Sequence, residues 1–340
     1  MHPQSFQIPV ALPLERGGQL QHPTIAFHTY GNPAKPVVWV CHPLHAGSDV
    51  LEWWAGLFGP KDYFNPDQYF IVCANIIGSC FGSTGPLSEN PGQGGGAYFH
   101  DFPLLTIRDM AAAHEALRKH LKIEKIHVLI GGSMGGQQAL EWAIQQPDIF
   151  ENLALIATHA KQSAWGIAFH SAQRMAIEAD ITWRKNHPQA GDAGLRAAQA
   201  IAMLSWRNYQ AYDQFHTDQE PVLDNFRATS YLQDQAEKRS RYFNAFSYYR
   251  LTQAMDTHHV GRNRGGIAAA LADIRAKTIV IGISSDLLCP CAEQRFLADK
   301  IPGAIYREII SEKGHEGFLT ETARLKHLLQ IFLEGATQQE

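Results

Sequence analysis

A serine framed by glycines stands where an apolar run gives way to a helical pattern. Residues 131–136 read GGSMGG; they follow the apolar run at 126–130 and precede a helix-like stretch that begins at Gln137. In a G-x-S-x-G turn of this kind, the glycines leave a strained serine hydroxyl open to a substrate. Ser133 is therefore the predicted nucleophile, on condition that the chain also supplies a base and a carboxylate.

Both partners follow later in the chain, in an order typical of this turn. A serine hydroxyl needs an imidazole to take its proton and a carboxylate to hold that imidazole in the right tautomer. Asp286 ends the β-branched run that begins at Thr278, and His315 lies in a glycine-flanked loop after the apolar run at 305–310. Of the seventeen histidines, only His315 has this context. We predict a triad of Ser133, Asp286 and His315.

The composition favours a small-molecule enzyme. The chain has 340 residues, 45% of them hydrophobic, which is enough for one large core with an insertion. A net charge of -4 gives no electrostatic reason to expect nucleic acid or an acidic membrane surface as a partner. We therefore predict a small-molecule substrate, no nucleic acid and no membrane.

The cysteines and the N-terminal residues predict a cytoplasmic protein. Five cysteines are an odd number, and three of them lie in or beside apolar runs, as reduced core residues do. The first residues lack the basic start and apolar stretch of a signal peptide, and no apolar run is long enough to span a bilayer. No metal is predicted, because a His-Glu-x-x-His helix is missing and the Cys289-Pro290-Cys291 segment has no second ligand pair.

Strand-like and helix-like runs alternate along most of the chain, which predicts an α/β fold with a mostly parallel sheet and helices on both faces. The predicted strands are 37–41, 69–74, 126–130, 153–157, 278–283 and 305–310; the predicted helices are 107–120, 137–146, 292–300 and 321–333. Strand-like runs stop between 161 and 264, where helical stretches dominate at 167–179, 193–206 and 229–255. We predict a core of residues 1–160 and 265–340, with a helical lid at 161–264 inserted after the strand at 153–157.

Many segments resemble the homoserine O-acetyltransferase family. The matching segments are 53–54, 69–70, 75–86, 101–103, 106–110, 131–136, 138–143, 230–232, 254–256, 285–286 and 314–315. The resemblance covers nearly the whole chain, and the run at 75–86 is long enough to be specific. It implies an α/β-hydrolase core with a helical lid, and a homodimer formed through the lid helices. It also implies double-displacement transfer of an acyl group from acyl-CoA, a co-substrate rather than a bound cofactor, to an amino-acid hydroxyl.

The resemblance extends to the individual residues of the site. Ser133, Asp286 and His315 match the family's triad. An oxyanion hole requires two backbone N–H donors near the nucleophile. Met134, the residue after Ser133, supplies one, and by the family's pattern Leu44 supplies the other. Here the loop after Leu44 has His45 and Ala46 where the family usually has threonine and glycine. Two roles for His45 stay open: an additional donor, or a side chain that narrows the pocket.

The acceptor-binding positions differ from the family. Gln199 and Trp206 align with its acceptor-binding arginine and tyrosine, and Glu316 replaces the aspartate that helps to hold the substrate amine. A glutamine cannot clamp a carboxylate bidentately as an arginine does. We therefore predict that homoserine is a poor acceptor. Arg207 is either a replacement clamp or a solvated lid residue.

Three function classes remain open at the level of the sequence. The first is an O-acyltransferase, and the second is a carboxylesterase of the same family in which water resolves the acyl-serine. Both use the same triad, so the residues predict that Ser133 is acylated more firmly than they predict which acceptor removes the acyl group. The third, a non-catalytic binding protein on the same fold, is disfavoured by the complete triad.

Overall fold

A computed structural model describes residues 2–335 of the chain. Met1 and residues 336–340, at the ends of the predicted core ranges, lie outside the described residues. Eight strands form one sheet in the order β1-β4-β6-β5-β7-β8-β9-β10, and β2 pairs with β3. The strands are β1 (Gln4–Gln7), β2 (Leu12–Pro13), β3 (Gln19–Leu20), β4 (Thr24–Tyr30), β5 (Val37–Cys41), β6 (Phe70–Ala74), β7 (Ile126–Gly132), β8 (Phe150–Ile156), β9 (Lys277–Ile283) and β10 (Ile305–Ile309).

The sheet is mostly parallel, as the sequence predicts. From β6 to β10 all neighbouring strands run parallel, whereas β1 and β4 pair antiparallel at one edge. Side chains alternate between the two faces of a strand. Trp39 therefore joins the core on one face of the sheet, while Val38 and Val40 join the core on the other. Burial on both faces explains why the central strands are uninterrupted apolar runs.

Twelve α-helices connect and cover the strands within residues 2–335. They are α1 (Val50–Trp53), α2 (Ile107–His120), α3 (Met134–Gln145), α4 (Ala164–Glu178), α5 (Asp192–Trp206), α6 (Tyr209–His216), α7 (Arg227–Ser240), α8 (Ala245–Asp256), α9 (Ile267–Ala272), α10 (Cys291–Lys300), α11 (Gly317–Thr320) and α12 (Thr322–Glu334). A capping box starts α2: the Thr106 side chain accepts from the Asp109 N–H, and the Asp109 side chain accepts from the Thr106 N–H.

Helices α4 to α8 lie between β8 and β9, where the sequence predicts a lid. Helix α5 packs against both α4 and α7. The predicted helical stretch at 229–255 is wrong in one respect, because it consists of two helices, α7 and α8. Asn244 separates them: its side chain accepts from the Ser247 N–H and caps α8. The division of the chain into a core and a lid domain stays a prediction.

Candidate active site

Ser133 occupies a strained turn between β7 and α3. Its φ and ψ are 55° and -125°, a conformation that side-chain-bearing residues rarely adopt. Two hydrogen bonds hold the turn: the Ser133 N–H donates to the Ile156 carbonyl at 3.0 Å, and the Thr158 hydroxyl donates to the Ser133 carbonyl at 3.0 Å. The backbone of Ser133 is thus held by the last residue of β8 and by Thr158, which follows that strand.

Close backbone approaches explain the glycines around Ser133. A Cβ on Gly131 would lie 2.3 Å from the Gly135 carbonyl oxygen, and a Cβ on Gly135 would lie 2.0 Å from the Cys41 carbonyl oxygen. Both separations are far below van der Waals contact. The glycine at 135 therefore allows the start of α3 to rest on the end of β5.

The structure brings the three predicted triad residues together at the carboxyl ends of β7, β9 and β10. His315 Nε2 lies 2.8 Å from Ser133 Oγ, and His315 Nδ1 lies 2.6 Å from Asp286 Oδ2. The other Asp286 oxygen accepts from the backbone N–H groups of Leu288 at 2.8 Å and Cys289 at 2.9 Å. The buried carboxylate thus requires a proton on Nδ1, which leaves Nε2 free to accept the serine proton.

The loop that carries His315 rests against the end of α5. Gly314 has a φ of 61°, and a Cβ there would lie 2.2 Å from the Trp206 carbonyl oxygen. The Gly314 N–H donates to Ser285 Oγ at 3.0 Å, beside Asp286. The histidine loop is therefore held by β9 on one side and by the last turn of a helix from the inserted segment on the other.

The two predicted oxyanion-hole residues flank the nucleophile. Met134 is the first residue of α3, where backbone N–H groups have no partner within the helix. Leu44 lies in the loop after β5 and lines the same cavity as Ser133. Gln138 links the two segments, because its Nε2 donates to the carbonyls of His42 at 3.2 Å and Met134 at 3.1 Å.

His42 holds the Leu44 loop in place from inside the protein. Its Nε2 accepts from the Ile76 N–H at 3.1 Å, so its Nδ1 carries the proton and donates to the Pro43 carbonyl at 2.9 Å. Burial lowers the pKa of His42 to about 4, which keeps the ring neutral and this tautomer in place.

A cavity of about 150 Å³ lies above Ser133 and His315. Aromatic and aliphatic side chains form much of its wall, among them Leu44, Trp53, Phe169, Trp206, Tyr248 and Phe318. Helices α4, α5, α7 and α8 all contribute to it. A largely apolar, partly enclosed space limits the access of water and strengthens the electrostatic interactions within it.

Glu316 is held between two arginines. Its Oε2 lies 2.8 Å from Arg207 Nη1, and its Oε1 lies 3.0 Å from Arg239 Nη2. Arg207 also donates to Tyr231 Oη at 2.9 Å. Glu316 and Arg239 belong to the cavity wall, whereas Arg207 lies behind Glu316.

Arg239 is a cavity residue that the sequence analysis missed. Its guanidinium carbon lies 5.0 Å from the centre of the Trp206 ring, in a cation–π contact. The sequence holds no signal that marks Arg239, because Lys238 and Arg241 of the same segment point to solvent and differ from it only in their tertiary surroundings.

Gln199 and His45 form a buried pair beside the cavity. Gln199 is fully buried, and its Oε1 accepts from His45 Nε2 at 2.9 Å. Burial, with a smaller contribution from the Arg239 charge, lowers the pKa of His45 to about 3, so the ring is neutral. Its one N–H is used on Gln199, and its ring packs 4.7 Å from that of Trp206. This geometry favours the role in which His45 narrows the pocket.

One group among the described residues has the composition of a metal site. Ligand atoms of Asp286, Cys289 and His315 lie within 4.8 Å of one another. A cysteine binds metal as a thiolate, but burial raises the pKa of the Cys289 thiol well above its usual value. Asp286 and His315 are also already bonded to each other. The donor set does not fit a metal ion, and the absence of a metal stays a prediction.

The fold and the geometry of the site define the class of protein. The family model of the α/β hydrolase fold matches residues 36–322. Within that class, the chain belongs to the homoserine O-acetyltransferase family. It is 45% identical to the homoserine O-acetyltransferase of Cyclobacterium marinum, over 98% of this chain and 95% of the relative. It is 40% identical to that of Trichormus variabilis, over 97% and 93%. This relationship makes it an enzyme of the acyl-transfer class.

Solved structures agree on the fold. Homoserine O-acetyltransferase from Bacillus anthracis superposes with a TM-score of 0.89 at 23% identity, over 97% of both chains. Esterase E22 superposes with a TM-score of 0.85 at 21% identity, over 97% of this chain and 99% of the esterase. At such identities the likeness shows the fold alone. In residues 2–335, no helix has the length and apolar character needed to cross a membrane.

Proposed function

We propose that the protein is a serine-nucleophile O-acyltransferase that moves an acyl group from acyl-CoA to a hydroxyl acceptor. The chain of hydrogen bonds from Asp286 through His315 to Ser133, at the base of a largely apolar cavity, carries the proposal. Curated relatives at up to 45% identity that are named homoserine O-acetyltransferases support it. No bound cofactor is needed for this chemistry.

The proposed reaction has two displacements at Ser133. His315 Nε2 takes the hydroxyl proton while Oγ attacks the thioester carbon, and the N–H groups of Leu44 and Met134 stabilise the oxyanion. The tetrahedral intermediate expels the CoA sulfur, which leaves with that proton, and an ester forms on Ser133. The acceptor hydroxyl then gives its proton to His315 and attacks the ester carbon. Ser133 recovers the proton as it leaves.

Acylation of Ser133 is the first prediction. Intact-protein mass spectrometry after incubation with acetyl-CoA should show one added acetyl group, and Ser133→Ala should abolish it. The Ser133→Ala variant should lose about a thousandfold or more in turnover, because triad members act as a unit. Ser205→Ala, at another serine of the cavity wall, is the matched control and should still be labelled. Equal labelling of Ser133→Ala and the wild type would show that the nucleophile is misassigned.

Hydrolysis of the acyl-serine is the second candidate function. It is favoured by the apolar wall of the cavity and by Gln199 and Trp206, which align with the family's acceptor-binding arginine and tyrosine. An esterase turns over acetyl-CoA or an activated acetyl ester at the same rate with and without an alcohol. A transferase depends on the alcohol and saturates with it. Steady-state assays with homoserine, serine, simple alcohols and no acceptor distinguish the two.

We further propose that the enzyme is a cytoplasmic homodimer that associates through its inserted helices. Several large apolar side chains of this segment are exposed, namely Trp165, Met175, Leu204, Tyr209, Phe215 and Leu223. Contiguous exposed apolar surface typically marks an interaction site, and these side chains are the candidates for one here. All five cysteines are unpaired, which supports a reducing compartment.

A further inference from the structure

The cavity wall carries an excess of positive charge on the side of α7. Arg239 and Arg207 together face the single carboxylate of Glu316, which leaves one positive charge unbalanced. His45 is neutral at physiological pH, because burial lowers its pKa to about 3. Behind the wall formed by α4 and α8, Asp256 and Arg174 form an ion pair of 2.6 Å, and on the side of the triad the carboxylate of Asp286 is bonded to His315; the unbalanced positive charge is thus local to Arg239 and Arg207. An anionic group that enters the cavity is therefore favoured.

Three buried N–H donors next to this charge have no acceptor among the described residues. They are Arg239 Nε, Arg207 Nε and Gln199 Nε2, and of these three residues only Arg239 belongs to the cavity wall. Gln199 is fully buried. The Arg239 side chain is 28% exposed, so its charge is partly screened, but its Nε atom is itself shielded from solvent. A buried donor without a partner is destabilising, and a ligand that supplies an acceptor removes this cost.

We propose that Arg239 binds the carboxylate of the acceptor and thereby selects hydroxy acids as the substrate class. This inference rests on the proposed acyl transfer, and it assigns the residue that recognises the acceptor in that reaction. Carboxylate oxygens match both the positive charge and the geometry of a guanidinium. Arg239 lies in the same cavity wall as Ser133 and His315, so a carboxylate bound to Arg239 occupies the cavity into which the nucleophile opens.

An α-ammonium group on the acceptor contributes little in this arrangement. Each Glu316 oxygen already bonds to one arginine, and the excess positive charge repels a further cation. Homoserine thus has a partner for its carboxylate, but its amine adds nothing to binding. This proposal replaces the expectation that homoserine is a poor acceptor. We expect 4-hydroxybutyrate to be used at least as well as homoserine, and 1-butanol at least tenfold less well.

The test compares these three acceptors in four proteins: the wild type, Arg239→Gln, Arg239→Lys and Arg241→Gln. Arg239→Gln should lower kcat/KM for 4-hydroxybutyrate and homoserine by about 10- to 100-fold, chiefly through KM, and leave the rate with 1-butanol within about threefold. Arg239→Lys should recover part of the loss. Arg241→Gln removes an equal charge from an exposed side chain of the same segment and should behave as the wild type.

A binding measurement separates this inference from the proposed function. Calorimetric titration of the Ser133→Ala protein with 4-hydroxybutyrate should detect binding that the additional change Arg239→Gln weakens at least tenfold. If the wild type is not acetylated but this binding holds, acyl transfer is wrong and the carboxylate site stands. The assignment of Arg239 is overturned if Ser133 is acetylated but Arg239→Gln leaves the preference for carboxylate-bearing acceptors unchanged. It is also overturned if the variant lowers kcat/KM for all three acceptors equally. A preference of tenfold or more for homoserine over 4-hydroxybutyrate would overturn the hydroxy-acid class.

Discussion

At the scale of single residues, the two oxygens of Asp286 have different partners. Oδ1 is occupied by two backbone N–H groups, and Oδ2 by His315 Nδ1. This division fixes how a side chain of the same shape, such as asparagine, is oriented at position 286. The same division gives the histidine one tautomer, which is the property that a serine nucleophile requires.

Asp286→Asn should therefore keep the fold and lose roughly three to four orders of magnitude in kcat. The backbone N–H groups of Leu288 and Cys289 select the amide oxygen for the position of Oδ1. The amide NH₂ then faces His315 Nδ1 and forces the imidazole proton onto Nε2, where it cannot accept from Ser133. Steady-state kinetics and thermal melting together test this, with exposed Asp273→Asn as the control. A near-normal rate would mean that another carboxylate orients His315.

The triad was predictable from the sequence because each member follows a strand in a known order. Arg239 was not, because it meets Glu316 across 77 positions of the chain, and no local pattern encodes that contact. The pairing of Arg207 with Glu316 was missed for the same reason. A charged residue on a helix acquires a role in a site only through the tertiary packing that places the helix there.

At the scale of elements, the contact of α3 with β5 sets the position of the nucleophile. Gly135→Ala should destabilise the protein by at least about 2 kcal/mol, because the new Cβ would lie 2.0 Å from the Cys41 carbonyl and backbone must move. Urea unfolding measures the loss. Gly92→Ala is the control, since its Cβ would meet only the Asn90 side chain, at 3.4 Å. Equal midpoints for the two variants would contradict the proposed contact.

Elements with strong periodicity were predicted almost to the residue, whereas weak ones were missed. Strand β5 and helix α2 have the predicted bounds, because a buried strand and a capped amphipathic helix each carry a distinct pattern. Strands β1 and β4 were not predicted. They form the antiparallel edge of the sheet, and β1 has no fully buried residue, so an apolar run does not mark it.

At the scale of the whole molecule, buried histidines link stability to pH. Burial lowers the pKa of His42, His114 and His159 to about 4, that of His45 to about 3, and that of His258 well below its usual value. The unfolded chain binds protons at these groups from about pH 6.5 downward, whereas the folded chain does not. Stability should therefore fall as the pH drops from 6.5 towards 4.

Each of these histidines adds about 1.4 kcal/mol per pH unit to that slope. Free energies of unfolding from urea titrations at pH 7.5, 6.5, 5.5 and 5.0 measure it. His114→Gln should lower stability at pH 7.5 but give a shallower slope than the wild type by the contribution of one histidine. A constant free energy of unfolding between pH 6.5 and 5.0 would contradict the neutral state of these rings.

Self-association should depend on the exposed apolar surface of the inserted helices. Leu223 is 99% exposed, and Leu223→Asp combined with Tyr209→Asp should shift the mass in light scattering from dimer to monomer, because buried carboxylates oppose an apolar interface. Val10→Asp places the same charge on an exposed apolar residue outside this segment and should stay dimeric. A dimeric double variant, or a monomeric wild type, would show that this surface is not the interface.

The contact between Gly314 and the Trp206 carbonyl makes the C-terminal end of α5 responsible for two things. This end covers the cavity, and it also supports the loop that positions His315. If α5 moves outward to admit a substrate, the loop that carries His315 loses its contact with the helix. The imidazole of His315 then no longer lies within hydrogen-bond distance of Ser133 Oγ. Such an open form would lack a positioned base and could neither form nor cleave an ester at Ser133. The proposed acyl-serine would then be protected from hydrolysis at the moment when water has most access to it.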